Sequence, residues 1–246
     1  MQKLPAQPNK SLIDGIAVLQ ELSARGCPVS CLELSSWLGL EKTRVNRILK
    51  TLAYLGIVKS VSGRRYMPGD AMHILAAQSI FASGLLWAAG RRLSRLNELN
   101  MVVALGVLWR DKTTYLYHHN PGQESFEGLG ALGLYPVGRS SVGMVLSATK
   151  EGEELAWIYP DRAVEGWNRS YDEFLSELAA IRSRGYADVE YEDGHRSIAV
   201  TVGSHPFAAI ALAGNITISE LPRLVEILKE TAEEIAAEIE QRQRGE

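Results

Sequence analysis

Apolar residues recur every three or four positions in three runs along residues 11–55, a spacing that predicts three amphipathic helices. The first helix is expected to begin at Ser11 and to stop before Pro28, whose ring removes the backbone N–H that a helix needs. Ser30 opens the second helix, since Glu33 stands where a capping box requires it. Gly39 then supplies the tight turn of a helix-turn-helix.

The third helix is predicted from about Glu41 to Leu55, with Gly56 ending it. Its apolar positions share one inward stripe, composed of Val45, Ile48, Leu49, Leu52 and Leu55. The remaining positions carry side chains that hydrogen-bond phosphates and base edges, namely Lys42, Thr43, Arg44, Asn46, Arg47 and Lys50. This pattern predicts a recognition helix that enters the major groove of DNA.

A short basic hairpin is predicted directly after the third helix. Residues 57–61 have strand character, Ser62 and Gly63 form a turn, and residues 64–67 return. Arg64 and Arg65 are expected at the hairpin tip, within reach of phosphate or the minor groove. Three helices followed by a basic hairpin predict a winged helix-turn-helix DNA-binding domain over residues 1–69.

The distribution of charge supports that prediction. Residues 1–68 carry ten basic and four acidic residues, a balance of +6, so the rest of the chain sums to −9 given the whole-chain net charge of −3. A basic end on an acidic body is what a protein needs when one end alone meets phosphate. The N-terminus has no apolar signal stretch and no apolar run is long enough for a membrane span, which predicts a cytoplasmic protein.

Two helices and an α+β domain are expected beyond the hairpin. Residues 70–83 are predicted as a linker helix, and a second helix follows from about Leu85 to Leu99. That second helix could join the domains, pair with a second subunit or pack on its own domain. From residue 101, strand and helix patterns intersperse with hairpin connections, which predicts an antiparallel sheet in a domain over residues 84–246. The expected strands are 101–109, 113–117, 197–202 and 207–213, and the expected helices are 140–149, 151–158, 171–184 and 219–241.

Several motifs suggest chemistry, and the residues around them argue against it. Gly128–Gly133 has the glycine spacing of a dinucleotide site, but the stretch before it is too polar for a buried parallel strand. Residues 138–143 lack a serine with glycine at both −2 and +2, as a nucleophile elbow requires. His118 and His119 are adjacent, so on a strand they point to opposite faces. We therefore expect no enzyme, no cofactor and no metal.

Two further sets of metal-binding residue types are better explained without a metal. Cys27 and Cys31 provide two of the four ligands of a structural zinc, so we expect buried small residues around a turn. Glu190, Glu192 and Asp193 near His195 are expected in a solvated loop.

The sequence resembles the IclR family of bacterial transcriptional regulators along nearly its whole length. In the predicted winged helix-turn-helix domain, residues 1–69, which we call the head, the matching stretches are 11–22, 32–40 and 42–52. Further along the chain they are Pro136 to Ala148, Gly185 to Asp188, Ser197 to Val200 and Phe207 to Gly214. The resemblance implies a winged helix head, a linker helix and a C-terminal effector domain of GAF-like topology. It also implies a dimer or a dimer of dimers that binds operators and often represses catabolic genes.

The resemblance further implies a pocket against the sheet for a small organic acid, a sugar acid or a similar metabolite. Carried over by position, the residues expected to bind the effector are Ser141, Val142, Asp188, Ser197, Ala211 and Ala213. Ser140 joins them because it opens a helix whose N-terminal N–H groups suit a carboxylate. Alanines replace the hydroxyl residues common on the last strand, which makes that wall less polar.

The function predicted from the sequence is a ligand-responsive regulator, a repressor of a catabolic operon, that binds a pseudo-palindromic site as a homodimer or homotetramer. One alternative is a constitutive DNA-binding regulator whose C-terminal domain only oligomerises. Another is an enzyme in residues 101–246 with the head as a targeting module.

Overall fold

The computed structural model describes residues 8–123 and 133–244. Contacts within the chain divide it into two compact units, Met1–Ser83 and Gly84–Glu246. The helices and strands of the first unit are α1 (Lys10–Ala24), β1 (Val29–Ser30), α2 (Cys31–Leu38), α3 (Lys42–Tyr54), β2 (Val58–Val61), β3 (Arg65–Pro68) and α4 (Asp70–Ser83).

Local capping explains where the first two helices begin. Asn9, and not Ser11, caps α1, because its side chain accepts a hydrogen bond from the Leu12 N–H at 3.1 Å. The predicted capping box of α2 is formed: the Glu33 N–H donates to the Ser30 hydroxyl, and the Ser30 N–H donates to the Glu33 carboxylate at 2.7 Å. Gly39 ends α2 in the left-handed region at φ 62°, as the turn requires.

The hairpin differs from its prediction in two respects. Its turn covers the three residues Ser62–Arg64, and Gly63 and Arg64 both have positive φ, which is turn and not helix geometry. Arg65 therefore begins the return strand instead of sharing the tip. A third strand, β1, pairs with β3 in the order β1-β3-β2, and its two residues are too few to show alternation in the sequence.

Seven apolar side chains form the core of the first unit: Val18, Leu22, Val29, Leu34, Val45, Leu49 and Val58. They come from α1, α2, α3 and two strands, so α3 and the hairpin pack on the same apolar cluster. By contrast, no residue of α4 is buried. Its Ile74, Leu75 and Phe81 are all exposed.

The second unit is built on one antiparallel sheet with the strand order β6-β5-β4-β9-β8-β7. Its elements are α5 (Leu85–Leu96), β4 (Val102–Trp109), β5 (Lys112–His119), β6 (Leu134–Pro136), α6 (Ser141–Ser147), α7 (Gly152–Ile158), α8 (Tyr171–Arg184), β7 (Ala187–Glu190), β8 (Arg196–Val202), β9 (Ala208–Gly214) and α9 (Leu221–Arg244). The edge strands β6 and β7 are short and were not predicted.

Each face of this sheet carries its own apolar core. Ile198 and Val200 of β8 face a core shared with α5 and α9, whereas Ala199 between them faces α6, α7 and α8. Of the three possibilities for the second helix, packing on its own domain is what the structure shows. Ion pairs reinforce that packing: Arg92 contacts Glu234 at 3.1 Å and Glu238 at 2.7 Å across the two helices.

Among the described residues, no single helix has the length and apolar character to cross a membrane. The pair of helices Asp70–Ser83 and Leu85–Leu99 meets those criteria only when taken together, by length and composition alone.

Candidate nucleic-acid interface and candidate ligand pocket

Only some of the six α3 residues named from the sequence lie on the face of the helix opposite its buried side. One turn of a helix takes 3.6 residues, so Thr43, Arg47 and Lys50 lie opposite the buried Val45 and Leu49. These three side chains are exposed. They form the centre of the face of α3 that is free to contact a nucleic acid. Lys42 is also exposed at the first position of the helix, while Asn46 is half-buried on one flank.

Arg44 lies on the other flank, where it faces α1. Its Nε lies 2.5 Å from Oδ2 of Asp14, with side-chain exposures of 39% for the arginine and 17% for the aspartate. The predicted DNA contact is therefore already engaged by a carboxylate of the same unit. A groove of about 660 Å³ between α1 and α3 adjoins the pair, and Arg44 and Arg47 both line it.

The two arginines of the hairpin have different surroundings. Arg65 donates from Nε to the Pro28 carbonyl at 2.9 Å and contacts the Glu33 carboxylate at 3.1 Å. Hydrogen bonds from Ser30 and the positive charge of Arg65 hold the pKa of Glu33 below its usual value. Arg65 thus ties the hairpin to the start of α2. Arg64 is exposed at the tip and has no ion-pair partner in residues 8–123 or 133–244.

A pocket of about 490 Å³ opens on the second unit. Its floor consists of small side chains on neighbouring strands: Val102 is paired with Ala213, and Ala104 with Ala211. Because alanine leaves space above the sheet, the floor can accept a ligand. The other lining residues are Tyr115, His118, Asn120, Tyr135, Pro136, Arg139, Tyr191 and Ser197.

The structure brings three of the residues predicted to bind an effector to this lining, namely Ser197, Ala211 and Ala213. Ser141 lies just beneath, because its hydroxyl is 2.7 Å from the Ser197 hydroxyl and both residues are buried. Val142 is fully buried and packs against β4. A Cβ at Gly106 would lie 2.9 Å from a Val142 methyl, so only glycine allows this approach.

The helix that was predicted to offer free N–H groups is already capped. The Ser140 hydroxyl accepts from the Gly143 N–H at 2.9 Å and also bonds the Tyr115 hydroxyl at 2.9 Å. This helix, α6, has seven residues. Ser140 therefore serves as a cap that also holds Tyr115 at the pocket wall.

Asp188 lies on the other face of the sheet from the pocket. It pairs in register with Ile198, whose side chain belongs to the α5/α9 core, whereas Ser197 points to the pocket. Since neighbouring residues of a strand alternate between faces, Asp188 cannot share a face with Ser197. Its carboxylate is paired with Arg196 at 2.7 Å, so the structure gives it a different role from the predicted one.

Arg139 is a lining residue that the sequence did not single out. It ends the 3-10 turn Val137–Arg139, and its aliphatic stem lies across Gly166, where a Cβ would be 2.6 Å from the arginine Cγ. The φ of Gly166 is +80°, a second reason for glycine there. No carboxylate of the described residues lies within ion-pair distance of the Arg139 guanidinium.

At neutral pH this guanidinium is the one charge among the described lining residues. Burial raises the pKa of Tyr115 to about 12 and also raises that of Tyr191. Burial and the neighbouring His119 lower the pKa of His118. The Tyr191 hydroxyl donates to the Arg139 carbonyl at 3.2 Å, which fixes the turn that carries the arginine. The pocket is therefore suited to an anion.

Tyr135 and Tyr191 are also lining residues that the sequence did not single out, because both lie on or beside short strands that were not predicted. Tyr135 lies on the three-residue edge strand β6, and Tyr191 directly follows the unpredicted strand β7. The nearest signal in the sequence was the recurrence of tyrosine around the predicted strands.

The remaining motifs have the following outcomes. Gly128–Gly133 lies outside the described residues except for its last glycine. Cys27 is exposed and Cys31 half-buried, so the expectation that both are buried was wrong. The described ranges contain no group of three or more His, Cys, Asp or Glu residues arranged to hold a metal ion. His195 pairs with Asp193 at 2.8 Å on an exposed loop.

A family model described as the bacterial transcriptional regulator IclR C-terminal domain matches residues 78–237. The chain belongs to the IclR family. IclR proteins are transcriptional regulators and not enzymes, which removes the alternative of an enzyme in residues 101–246. Among curated proteins, none matches the chain.

Solved structures of IclR proteins are similar along nearly the whole chain. An IclR family regulator from Brucella abortus has 20% identity and a TM-score of 0.77, covering 96% of this chain and 95% of its own. An IclR regulator from Alicyclobacillus acidocaldarius has 22% identity and a TM-score of 0.70, covering 94% and 99%. An IclR homologue from Microbacterium hydrocarbonoxydans in complex with 4-hydroxybenzoate has 19% identity and a TM-score of 0.66, covering 94% and 100%.

At these identities the likeness concerns the fold. The predicted fold class is confirmed: an N-terminal winged helix-turn-helix, a linker helix and a C-terminal GAF-like domain with an antiparallel sheet.

The buried hydroxyl pair under the IclR pocket gives a prediction about stability. Ser197→Ala leaves the buried Ser141 hydroxyl without its partner, so the free energy of unfolding should fall by about 1 to 3 kcal/mol. The double variant, Ser141→Ala with Ser197→Ala, removes both polar groups and should recover most of that loss. Urea denaturation of the full chain measures the free energy of unfolding of the two single variants and of the double variant. A double variant that loses the sum of the two single losses would contradict the pairing of the hydroxyls.

Proposed function

We propose that this IclR protein is a ligand-responsive repressor of a catabolic operon. Its winged helix head binds operator DNA, and a small organic acid in the pocket of the second unit changes that binding. The observation that carries the proposal is the single unneutralised cation, Arg139, among the described lining residues of an open pocket. The constitutive alternative predicts an apolar, closed pocket, and the open pocket lined by Arg139 weighs against it.

DNA binding is supported by the exposed cations of the head. Arg47 and Lys50 on α3 and Arg64 at the hairpin tip have no ion-pair partner among the described residues, so each is available to a phosphate or a base. Together with Thr43 of α3, they are the residues that we propose contact DNA. Lys42 and Asn46 are secondary candidates at the edges of the same face.

A homodimer or homotetramer is proposed from α4. Ile74, Ile80 and Phe81 are 60%, 38% and 72% exposed on a helix without a buried residue. Apolar surface of this kind is typical of a subunit interface. A twofold dimer would place two recognition helices about one DNA turn apart, on a pseudo-palindromic operator.

The DNA-binding proposal predicts a specific salt dependence. Duplexes enriched by the wild-type protein from a randomised pool provide the binding site. The logarithm of the wild-type protein's affinity for the selected duplex should fall linearly with the logarithm of salt concentration. Arg47→Ala should reduce the magnitude of that slope by about 0.9, for one lost phosphate contact. Arg223→Ala, an exposed arginine on α9, is the control with the same charge change. A flat salt dependence of the wild type would contradict phosphate binding by the head.

The effector proposal predicts a preference for anions that depends on Arg139. Probes are matched acids and amides, including 4-hydroxybenzoate and 4-hydroxybenzamide, with binding measured by calorimetry. The wild type should bind the preferred acid about 10- to 100-fold more tightly than its amide, as expected for a hydrogen bond to a charged group, and Arg139→Gln should abolish that difference. Arg169→Gln, which alters an exposed arginine stacked on Trp167 outside the lining, is the control. Equal binding of acids and amides would contradict the acid class, and no binding of any probe would contradict this effector assignment.

A further inference from the structure

The contact between Asp14 and Arg44 differs from the other ion pairs of the head. Its carboxylate is 17% exposed, whereas those of Glu21, Glu33 and Asp70 in the other pairs are 26%, 38% and 92% exposed. A carboxylate withdrawn from water loses hydration energy, and breaking its ion pair would leave that loss uncompensated. The pair is therefore expected to persist when the head meets DNA.

The geometry of the pair leaves the far end of the guanidinium free. Oδ2 of Asp14 lies 2.5 Å from Nε of Arg44 without the angle of a hydrogen bond, so the contact is an ion pair, and neither Nη atom of Arg44 has a hydrogen-bond partner among the described residues. The guanidinium is a planar fork with five N–H groups, so an arginine paired beside Nε can still present both Nη atoms to one acceptor pair. That arrangement matches the O6 and N7 acceptors of guanine in the major groove.

The position of Arg44 fits base contact. It is the third residue of α3, and the N-terminal residues of a recognition helix are those that reach base edges. The pair with Asp14 has no net charge, so Arg44 adds little to the sequence-independent attraction for phosphates. Arg47 and Lys50 on the same helix lack such a partner among the described residues and supply that attraction.

We propose that Asp14 is a positioning residue for sequence recognition: it holds Arg44 against α1 so that the guanidinium binds one base and is withheld from the phosphate backbone. The inference rests on the proposed DNA binding. It makes Asp14, a residue of the first helix, a determinant of the operator sequence.

The test compares the full-length wild type with Asp14→Asn. The variant keeps the shape of the side chain and removes its charge. Base preferences are measured by selection from a randomised duplex pool, and affinities by titration of a scrambled duplex at several salt concentrations. We expect the preference at one position of each half-site to fall about 5- to 100-fold. The salt slope on the scrambled duplex should become steeper by about 0.9, because Arg44 is released to bind a phosphate.

Glu21→Gln is the matched control, because it removes the same charge from the same helix. The partner of Glu21 is Arg25, which lies outside the recognition helix. This variant should keep the base preferences of the wild type and its salt slope. A change equal to that of Asp14→Asn would show a general effect of charge on α1 and would overturn the inference.

Arg44→Ala keeps the inference testable even when Asp14→Asn folds poorly. It should lose the same base preference as Asp14→Asn, while its salt slope stays that of the wild type. Asp14→Glu, which retains the charge, should recover part of the preference. Unchanged base preferences in Arg44→Ala would overturn the inference and leave the proposed DNA binding intact. A wild type that binds no duplex would instead overturn the proposed function, and this inference with it.

Discussion

Alternation of side chains along the antiparallel sheet is the constraint on which the second unit depends. Each strand sends successive residues to opposite faces, so β8 contributes Ile198 to one core and Ser197 to the pocket. Because α5 and α9 cover the first face, the second must hold both the α6–α8 layer and the ligand space. A slip of one residue in β8 would exchange the two sets and bury Arg196 where Ser197 now lies.

Small side chains make the pocket possible on that second face. Ala104 and Ala211 face each other in register, and α6 approaches the sheet closely because Gly106 has no side chain. A polar rim then surrounds an apolar floor. Its parts hold each other in place: Ser140 caps α6 and bonds Tyr115, and the carbonyl of Arg139 accepts from Tyr191. The positive charge of Arg139 has no carboxylate partner among the described residues, which is why an acid is the proposed ligand.

The sequence was most informative where periodicity and capping act together. Ser30, Glu33 and Gly39 predicted α2 and its turn, because a capping box and a left-handed glycine act locally. The short strands β1, β6 and β7 were missed, since two to four residues cannot establish a period of two. Tyr135, Arg139 and Tyr191 follow or lie within such irregular segments, so the polar rim of the pocket was also missed.

Side-chain contacts between residues that are distant in the sequence could not be predicted either. Helical spacing predicted that Arg44 lies outside the apolar stripe of α3. Its ion pair with Asp14 could not be predicted, because it depends on the packing of α1 beside α3. Arg65 likewise became a structural contact through Pro28 and Glu33, which are distant in sequence. Asp188 was misplaced because the unpredicted strand β7 determines which face it occupies.

The proposed regulation requires that ligand binding in the pocket and DNA binding by the head are coupled. The most direct test measures the affinity of the full chain for its selected duplex with and without the acid that binds best, and the affinity for that acid with and without the duplex. Thermodynamic linkage requires both affinities to change by the same factor, and we predict a decrease of about 5-fold or more. A factor of one in both measurements, with the acid bound in the pocket, would contradict the account.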